Sequence, residues 1–183
     1  MTITFVTGNK NKLLEIRQML GDFIDSKDID LPELQGTYHE IIEAKTKTAA
    51  EEIGGPVMVE DTGLSVEDWG ELPGPYIKWF FKQLGPEGMV KMIAGFSNKA
   101  YAVTNVGYCK GPGEKVYVFQ GKTDGRIVPP RGERTFGWDC MFEPDGFEQT
   151  YAEMDKPLKN SISQRGKAIG KFKKFIEENN CAN

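Results

Sequence analysis

Histidine and cysteine are nearly missing from this 183-residue chain, which has one of the first and three of the second. The cysteines are Cys109, Cys140 and Cys181, an odd number with no C-x-x-C pair. That excludes a disulfide framework, speaks against a thiolate zinc site and fits a reducing, intracellular compartment. His39, the one histidine, stands at the expected start of a helix, where a surface or capping role accounts for it. A Ser-His-Asp triad would have to be built on that residue alone, so general-base work falls to a carboxylate or a lysine. Three signatures are absent as well: G-x-G-x-x-G, G-x-x-x-x-G-K-[ST] and G-x-S-x-G. Their absence removes the dinucleotide fingerprint, the standard P-loop and the nucleophile elbow. No apolar run approaches the ~20 residues of a membrane span. The opening MTITFVTGNK reads as a strand running into a loop and lacks a signal-peptide pattern, so a cytoplasmic location is expected. Excess positive charge is also lacking. A net charge of −4 and a pI near 5.2 do not offer the basic surface that nucleic acid or an anionic membrane needs. A small basic pocket for one nucleotide is compatible with that balance.

What is present is the composition of a soluble globular protein, with 39% hydrophobic and 27% charged residues. The length suits a single domain over residues 1–183. Thr2 to Thr7 alternates as a strand, Gly8-Asn9 breaks it, and Leu13, Ile16 and Leu20 recur at helical spacing over Lys10 to Leu20. The pattern predicts a strand over Ile24 to Leu31 and a helix over His39 to Ile53. A short buried strand follows at Val57-Met58-Val59, ending at Glu60-Asp61. Beyond the Leu72-Pro73-Gly74-Pro75 loop it predicts helices over Tyr76 to Leu84 and Glu87 to Ala94. Strands are expected over Ala100 to Cys109 and Lys115 to Val128, paired as an antiparallel hairpin about Gly111-Pro112-Gly113. Phe136 to Gln149 reads as a functional loop, Ser161 to Glu178 as the C-terminal helix, and the last few residues as a frayed end. Mixed strands and helices make the class α/β, with a partly antiparallel sheet.

Four segments hold residues with chemical potential. Thr7-Gly8-Asn9-Lys10-Asn11-Lys12 joins a strand to a helix N-terminus. There, free N–H groups and a partial positive charge suit a phosphate, and two lysines add full charges. An ordinary strand–helix turn with solvated lysines is the alternative. Val59-Glu60-Asp61-Thr62-Gly63 places two carboxylates after an apolar strand, which is costly unless they are used. Neighbours on a strand point to opposite faces, so one site uses both only if the strand ends there. Their hard oxygens suit Mg²⁺, or one serves as general base toward water; a solvated loop is the alternative. Phe136-Gly137-Trp138-Asp139 offers rings for a nucleobase and a carboxylate for its N–H groups. The same residues would equally make an aromatic core plug with a turn aspartate. In Lys159 to Gly166, Ser161 is expected to cap the last helix. Lys159 and Arg165 then stand near its start, where the dipole disfavours cations unless an anion or polar ligand binds.

Taken together, these segments resemble the inosine triphosphate pyrophosphatase family, its eukaryotic branch in particular. The likeness runs from Phe5 to the C-terminal helix through FVTGNKNKLLEI, DLPELQG, VEDTGLSVEDWGELPGPYIKWF, PPRG, FGWD, PDGFEQTYAEM and KNSISQR in order. The resemblance implies a long, twisted, mixed sheet with two lobes and a central active-site cleft. It implies Mg²⁺-dependent hydrolysis (Mn²⁺ a possible substitute) of ITP, dITP and XTP to the monophosphate and pyrophosphate, in a homodimer. By the same resemblance Thr7, Gly8, Asn9, Lys10, Asn11 and Lys12 bind the triphosphate. Glu33 and Asp61 are the metal-associated carboxylates, with Glu60 and Thr62 beside them, and Lys45 and Lys78 reach the phosphates. Phe136, Gly137, Trp138, Asp139 and Lys159 frame the nucleoside, with Gln164 and Arg165 at the base edge. Two positions depart from the family pattern. The residue before the arginine is often His and here is Gln164. The residue after FGWD is often Pro and here is Cys140.

The expected catalytic set is Asp61, Glu33 and Lys12: a carboxylate to activate water and a lysine to stabilise charge on the leaving pyrophosphate. Asp61 is the first choice of base, with Glu33 or Glu60 as alternatives. Arg165, which has only donors, is expected to prefer an oxo group over an amino group at purine position 6. Three rivals stand beside this reading. A Maf-like pyrophosphatase would carry a Ser- and Arg-rich N-terminal loop in place of TGNKNK. A nucleotide sensor that binds without cleaving would gain from losing the three carboxylates. A nucleic-acid-binding module conflicts with the acidic balance.

Overall fold

A computed structural model describes residues 2–21 and 23–179. The chain order is β1 (Ile3–Val6), α1 (Lys10–Leu20), β2 (Ile24–Lys27), α2 (Tyr38–Ile53), β3 (Val57–Val66), β4 (Pro73–Gly74) and α3 (Ile77–Met92). Then come β5 (Lys99–Cys109), β6 (Val116–Ile127), β7 (Phe142–Pro144), α4 (Lys156–Ile162) and α5 (Gln164–Glu178). Six of the seven strands lie side by side in the order β2-β1-β3-β5-β6-β7, and β4 pairs with β3. β1 runs parallel to β2 and β3, whereas β4 is antiparallel to β3 and β7 to β6. The sheet is therefore mixed and open, and the expected α/β class holds. β5 and β6 are neighbours joined by residues 110–115, too short a connection for anything but an antiparallel pair.

The chain divides into two compact units. The first comprises Met1–Asp61, Thr104–Gly121 and Arg165–Asn183; the second comprises Thr62–Val103 and Lys122–Gln164. In the first, the period of two in the strands sorts the core. Ile3, Phe5, Met58, Val106 and Tyr108 pack with Ile16 and Leu20 of α1 and Ile169, Phe172 and Ile176 of α5. Val6, Val57, Val59 and Cys109 pack with Ile42, Ala49 and Ala50 of α2. Gly107 lets α2 come close: a Cβ there would stand 1.9 Å from the Thr46 hydroxyl oxygen. In the second unit Leu64, Val66, Ile77, Met89, Ile127, Trp138, Phe142 and Tyr151 belong to a separate core.

Several boundaries differ from expectation. β3 does not end at Glu60-Asp61 but runs to Val66, because Leu64 and Val66 are buried and Leu64 and Ser65 pair with β4. β2 stops at Lys27, four residues short of Leu31. The expected C-terminal helix is two helices, parted where Ser163 is extended (φ −70°, ψ 157°). Asp155, not Ser161, caps the first of them, accepting from the Leu158 N–H at 2.8 Å. Lys159 thus sits in the last turn of α4, where the dipole favours a cation. Phe136 to Gln149 is not only loop, since β7 lies within it and pairs with β6. Thr37 and Glu40 form a capping box, so α2 begins at Tyr38 and His39 is exposed. The two helices expected after Pro75 lie within α3, interrupted at Gly85 (φ 63°). The frayed C-terminal end and Cys181 lie outside the described residues.

Candidate active site

In the first unit, β1 gives way to α1 through Thr7-Gly8-Asn9. Asn9 caps the helix: its side-chain oxygen accepts from the N–H groups of Asn11 at 3.0 Å and Lys12 at 3.1 Å. Thr7 Oγ1 accepts from the Asn9 N–H at 3.1 Å. Gly8 packs against Asp28, whose carboxylate would stand 2.7 Å from any added Cβ. No acid occupies the first turn of α1, which keeps its partial positive charge beside Lys10, Asn11 and Lys12.

Glu60 and Asp61 both find cations while β3 continues past them, in separate groups on opposite faces of the strand, as alternation requires. Strand alternation gives Glu60 to the α1 and α5 face and Asp61 to the α2 face. Glu60, wholly buried, lies 3.4 Å from the Lys12 ammonium and accepts from Arg165 Nε at 3.2 Å. Arg165 Nη1 donates to Glu15 at 2.5 Å. Burial opposes the guanidinium charge, but Glu60 and Glu15 outweigh it, so the Arg165 pKa lies above its ordinary value. On the other face, Lys45 of α2 donates to Asp61 at 3.1 Å and to Glu33 at 3.3 Å. Burial acts to lower the Lys45 pKa, and the two carboxylates more than reverse it.

In the second unit, Lys159 donates to Asp139 at 2.5 Å. Its ammonium lies 4.6 Å from the Phe136 ring centroid and 5.5 Å from that of Tyr151, within cation–π range. Gly137 supplies the left-handed turn (φ 50°) between Phe136 and Trp138. Trp138 is a core ring, packed on Phe142 at 5.6 Å and Tyr151 at 6.5 Å, which matches the core-plug alternative for that residue. The Tyr151 hydroxyl donates to Gln164 Oε1 at 2.9 Å. Thr62 follows Asp61 in β3 and is half-buried. Lys78 stands exposed in the first turn of α3, 5.4 Å from the Trp79 ring centroid.

The structure therefore brings together Lys12, Glu60 and Arg165; Glu33, Lys45 and Asp61; and Phe136, Asp139, Lys159 and Tyr151. Sequence reasoning missed Glu15 and Tyr151. The signal for Glu15 was a carboxylate one turn beyond Lys12 and next to the buried Ile16. Tyr151 gave none by spacing. Among the described residues no group of three or more His, Cys, Asp or Glu side chains is placed to hold a metal ion. Cys109 and Cys140 are buried free thiols, and burial pushes that of Cys140 up. Among the described residues no helix is long and apolar enough to cross a membrane.

The fold is an open, mixed α/β sheet, with a cationic helix start and paired carboxylates in the first unit and an aromatic-walled ion pair in the second. The chain belongs to the Ham1 family, whose profile matches residues 3–175. It is 53% identical to the inosine triphosphate pyrophosphatase of Tuber melanosporum over 96% of this chain and 97% of the relative. It is 50% identical to that of Scheffersomyces stipitis over 96% and 97%. In fold it matches a HAM1 protein from Coxiella burnetii with a TM-score of 0.84 at 23% identity, over 97% of this chain and all of that one.

Proposed function

We propose that the chain is a divalent-metal-dependent nucleoside triphosphate pyrophosphatase acting on ITP, dITP and XTP. It would work as one domain in the cytoplasm, as a homodimer, with no nucleic-acid or membrane partner. Water attacks the α-phosphorus, the bond from that phosphorus to the α–β bridging oxygen breaks, and monophosphate and pyrophosphate leave. The observation that carries this reading is the Lys45 arrangement, in which the carboxylates of Glu33 and Asp61 share one ammonium. Two such hard-oxygen groups fit Mg²⁺ or Mn²⁺, which take one or two carboxylates and complete their shell with phosphate and water. Bound there, the ion would offset the repulsion between substrate phosphates and the carboxylates. Thr7 to Lys12, with the N–H groups at the start of α1, hold the phosphates. Lys12, Lys45 and Lys78 stabilise the charge developing on pyrophosphate. Asp61 takes the proton of the attacking water. Glu60 is the poorer candidate, since its side chain is wholly buried against Arg165 and Lys12 and has no room for the attacking water. Phe136, Asp139 and Lys159 form the purine side, with Gln164 and Arg165 at the base edge.

The test is to supply the protein with Mg²⁺ or Mn²⁺ and, separately, ITP, dITP, XTP, GTP and ATP, and to measure pyrophosphate and orthophosphate. Pyrophosphate from the first three, lost on chelation, is the expected result. Orthophosphate would mean a phosphatase, and no release would mean a sensor.

A further inference from the structure

Asn105 of β5 is 1% exposed, yet only one end of its carboxamide is used. The oxygen accepts from Gln120 Nε2 at 3.0 Å, while Nδ2 has no hydrogen-bond partner among the described residues. A buried donor without an acceptor is costly and rare in native proteins, so it points to a partner in the working state. The faces of the sheet show where that partner stands. A Cβ on Gly107 would meet Thr46 and Ile42 of α2, so Asn105, two residues before it, faces α2 as well. Asp61 of the neighbouring strand β3 faces α2 too, where it accepts from Lys45 at 3.1 Å. β3 leaves the first unit after Asp61 and β5 enters it at Thr104. The two strands therefore run antiparallel, with Asn105 and Asp61 at the same end of that unit. Cross-strand neighbours on one face have Cβ atoms about 5–8 Å apart, within reach of a small side-chain shift.

Carboxylates that hold a metal ion are themselves held by hydrogen bonds, which fix their orientation. Lys45 is ill suited to do this for Asp61 beside a divalent cation, because the two positive charges repel. A neutral amide N–H has no such conflict. We propose that Asn105 is a positioning residue: anchored by Gln120, its Nδ2 donates to the Asp61 carboxylate and orients it toward the divalent ion. The inference rests on the metal reading of Asp61 and Glu33 above.

The test titrates Mn²⁺ alone into wild type, Asn105→Leu, Gln120→Ala and Asp61→Asn, following the free-ion EPR signal, with a melting curve of each protein before metal is added. Leu is close to Asn in size and removes the donor. Asn105→Leu should bind Mn²⁺ about tenfold or more weakly, with its melting temperature held or raised because the unpartnered donor is gone. Gln120→Ala, at an exposed position, lets the carboxamide turn and should weaken binding several-fold; it carries the test if the first variant does not fold. Affinity within twofold of wild type in the folded variants would overturn the proposal, as would a loss that only follows a fall in melting temperature. Binding that Asp61→Asn abolishes and Asn105→Leu leaves unmoved sinks the Asn105 role alone. No Mn²⁺ bound by wild type, or binding that Asp61→Asn does not weaken, sinks the metal reading itself.

Discussion

Glu60 and Asp61 are adjacent in β3, yet each is bound to a different set of cations. Asp61 meets one ammonium and is half-buried; Glu60 is closed in by Arg165 and Lys12. Asp61→Asn keeps the shape and removes charge and basicity. Turnover of ITP should fall ~10²–10⁴-fold with the melting temperature held or raised; activity within a few-fold of wild type at saturating metal would exclude Asp61 as base. The buried Arg165 is a second test. Glu15→Gln leaves its guanidinium charge under-compensated, at a cost of about 3 kcal/mol, read by chemical denaturation. Stability unchanged within error would mean that Glu15 adds nothing to the triad. Arg165→Ala should lower both the melting temperature and the ITP-to-ATP ratio of kcat/KM. A lower melting temperature with an unmoved ratio would leave Arg165 an anchor only. Glu15 was not legible as the partner of Arg165, because the two are 150 positions apart. Lys12, Asp61, Asp139 and Lys159 stood out in the sequence as charges near apolar residues, and the structure gives each an ion-pair partner.

At the scale of elements, β6 and β7 are clamped by a buried carboxylate. Glu143 of β7 accepts from Arg126 of β6 and from Arg131, which also donates to the Glu148 carbonyl oxygen at 3.1 Å and to Glu153. Burial would raise the Glu143 pKa, but Arg131 and Arg126 outweigh it and hold the pKa below the ordinary carboxylate value. A lowered folded-state pKa contributes stability that is present above the unfolded value, about 4.3, and is lost as pH falls through the folded one. The melting temperature should therefore decline in acid, and less steeply in Glu143→Gln. Equal slopes below about pH 4.5 would show the clamp to be inert. Gly107 tests the packing of α2 on β5. Gly107→Ala drives a Cβ into Thr46 and should cost about 1–3 kcal/mol, partly recovered when Thr46→Ala is added. Strict additivity would contradict the close approach. β1, α1, β5 and β6 were legible to within about two residues because their hydrophobic period is unbroken. β3 was cut short because charge interrupts its apolar run, and the cations that make the charge tolerable come from α1, α2 and α5. The break between α4 and α5 was hidden by two serines, Ser161 and Ser163, either of which can cap a helix.

For the molecule as a whole, the account predicts a two-fold homodimer. Trp79 is 48% exposed and Leu72 52% exposed, which leaves apolar surface for a second copy. Sedimentation at micromolar concentration should give twice the 20.5 kDa chain mass, and a monomer mass would remove the claim. The α/β class followed from the alternation of strands and helices along the chain. The division into two compact units did not, because three strands and the start of α5 pass from one unit to the other without any break in composition. The central claim is attack on the α-phosphorus of an inosine-type triphosphate. Hydrolysis of ITP in ¹⁸O-enriched water tests it most directly. The account predicts equal amounts of inosine monophosphate and pyrophosphate, with the label in the monophosphate. Label in pyrophosphate, or release of orthophosphate in its place, would contradict it.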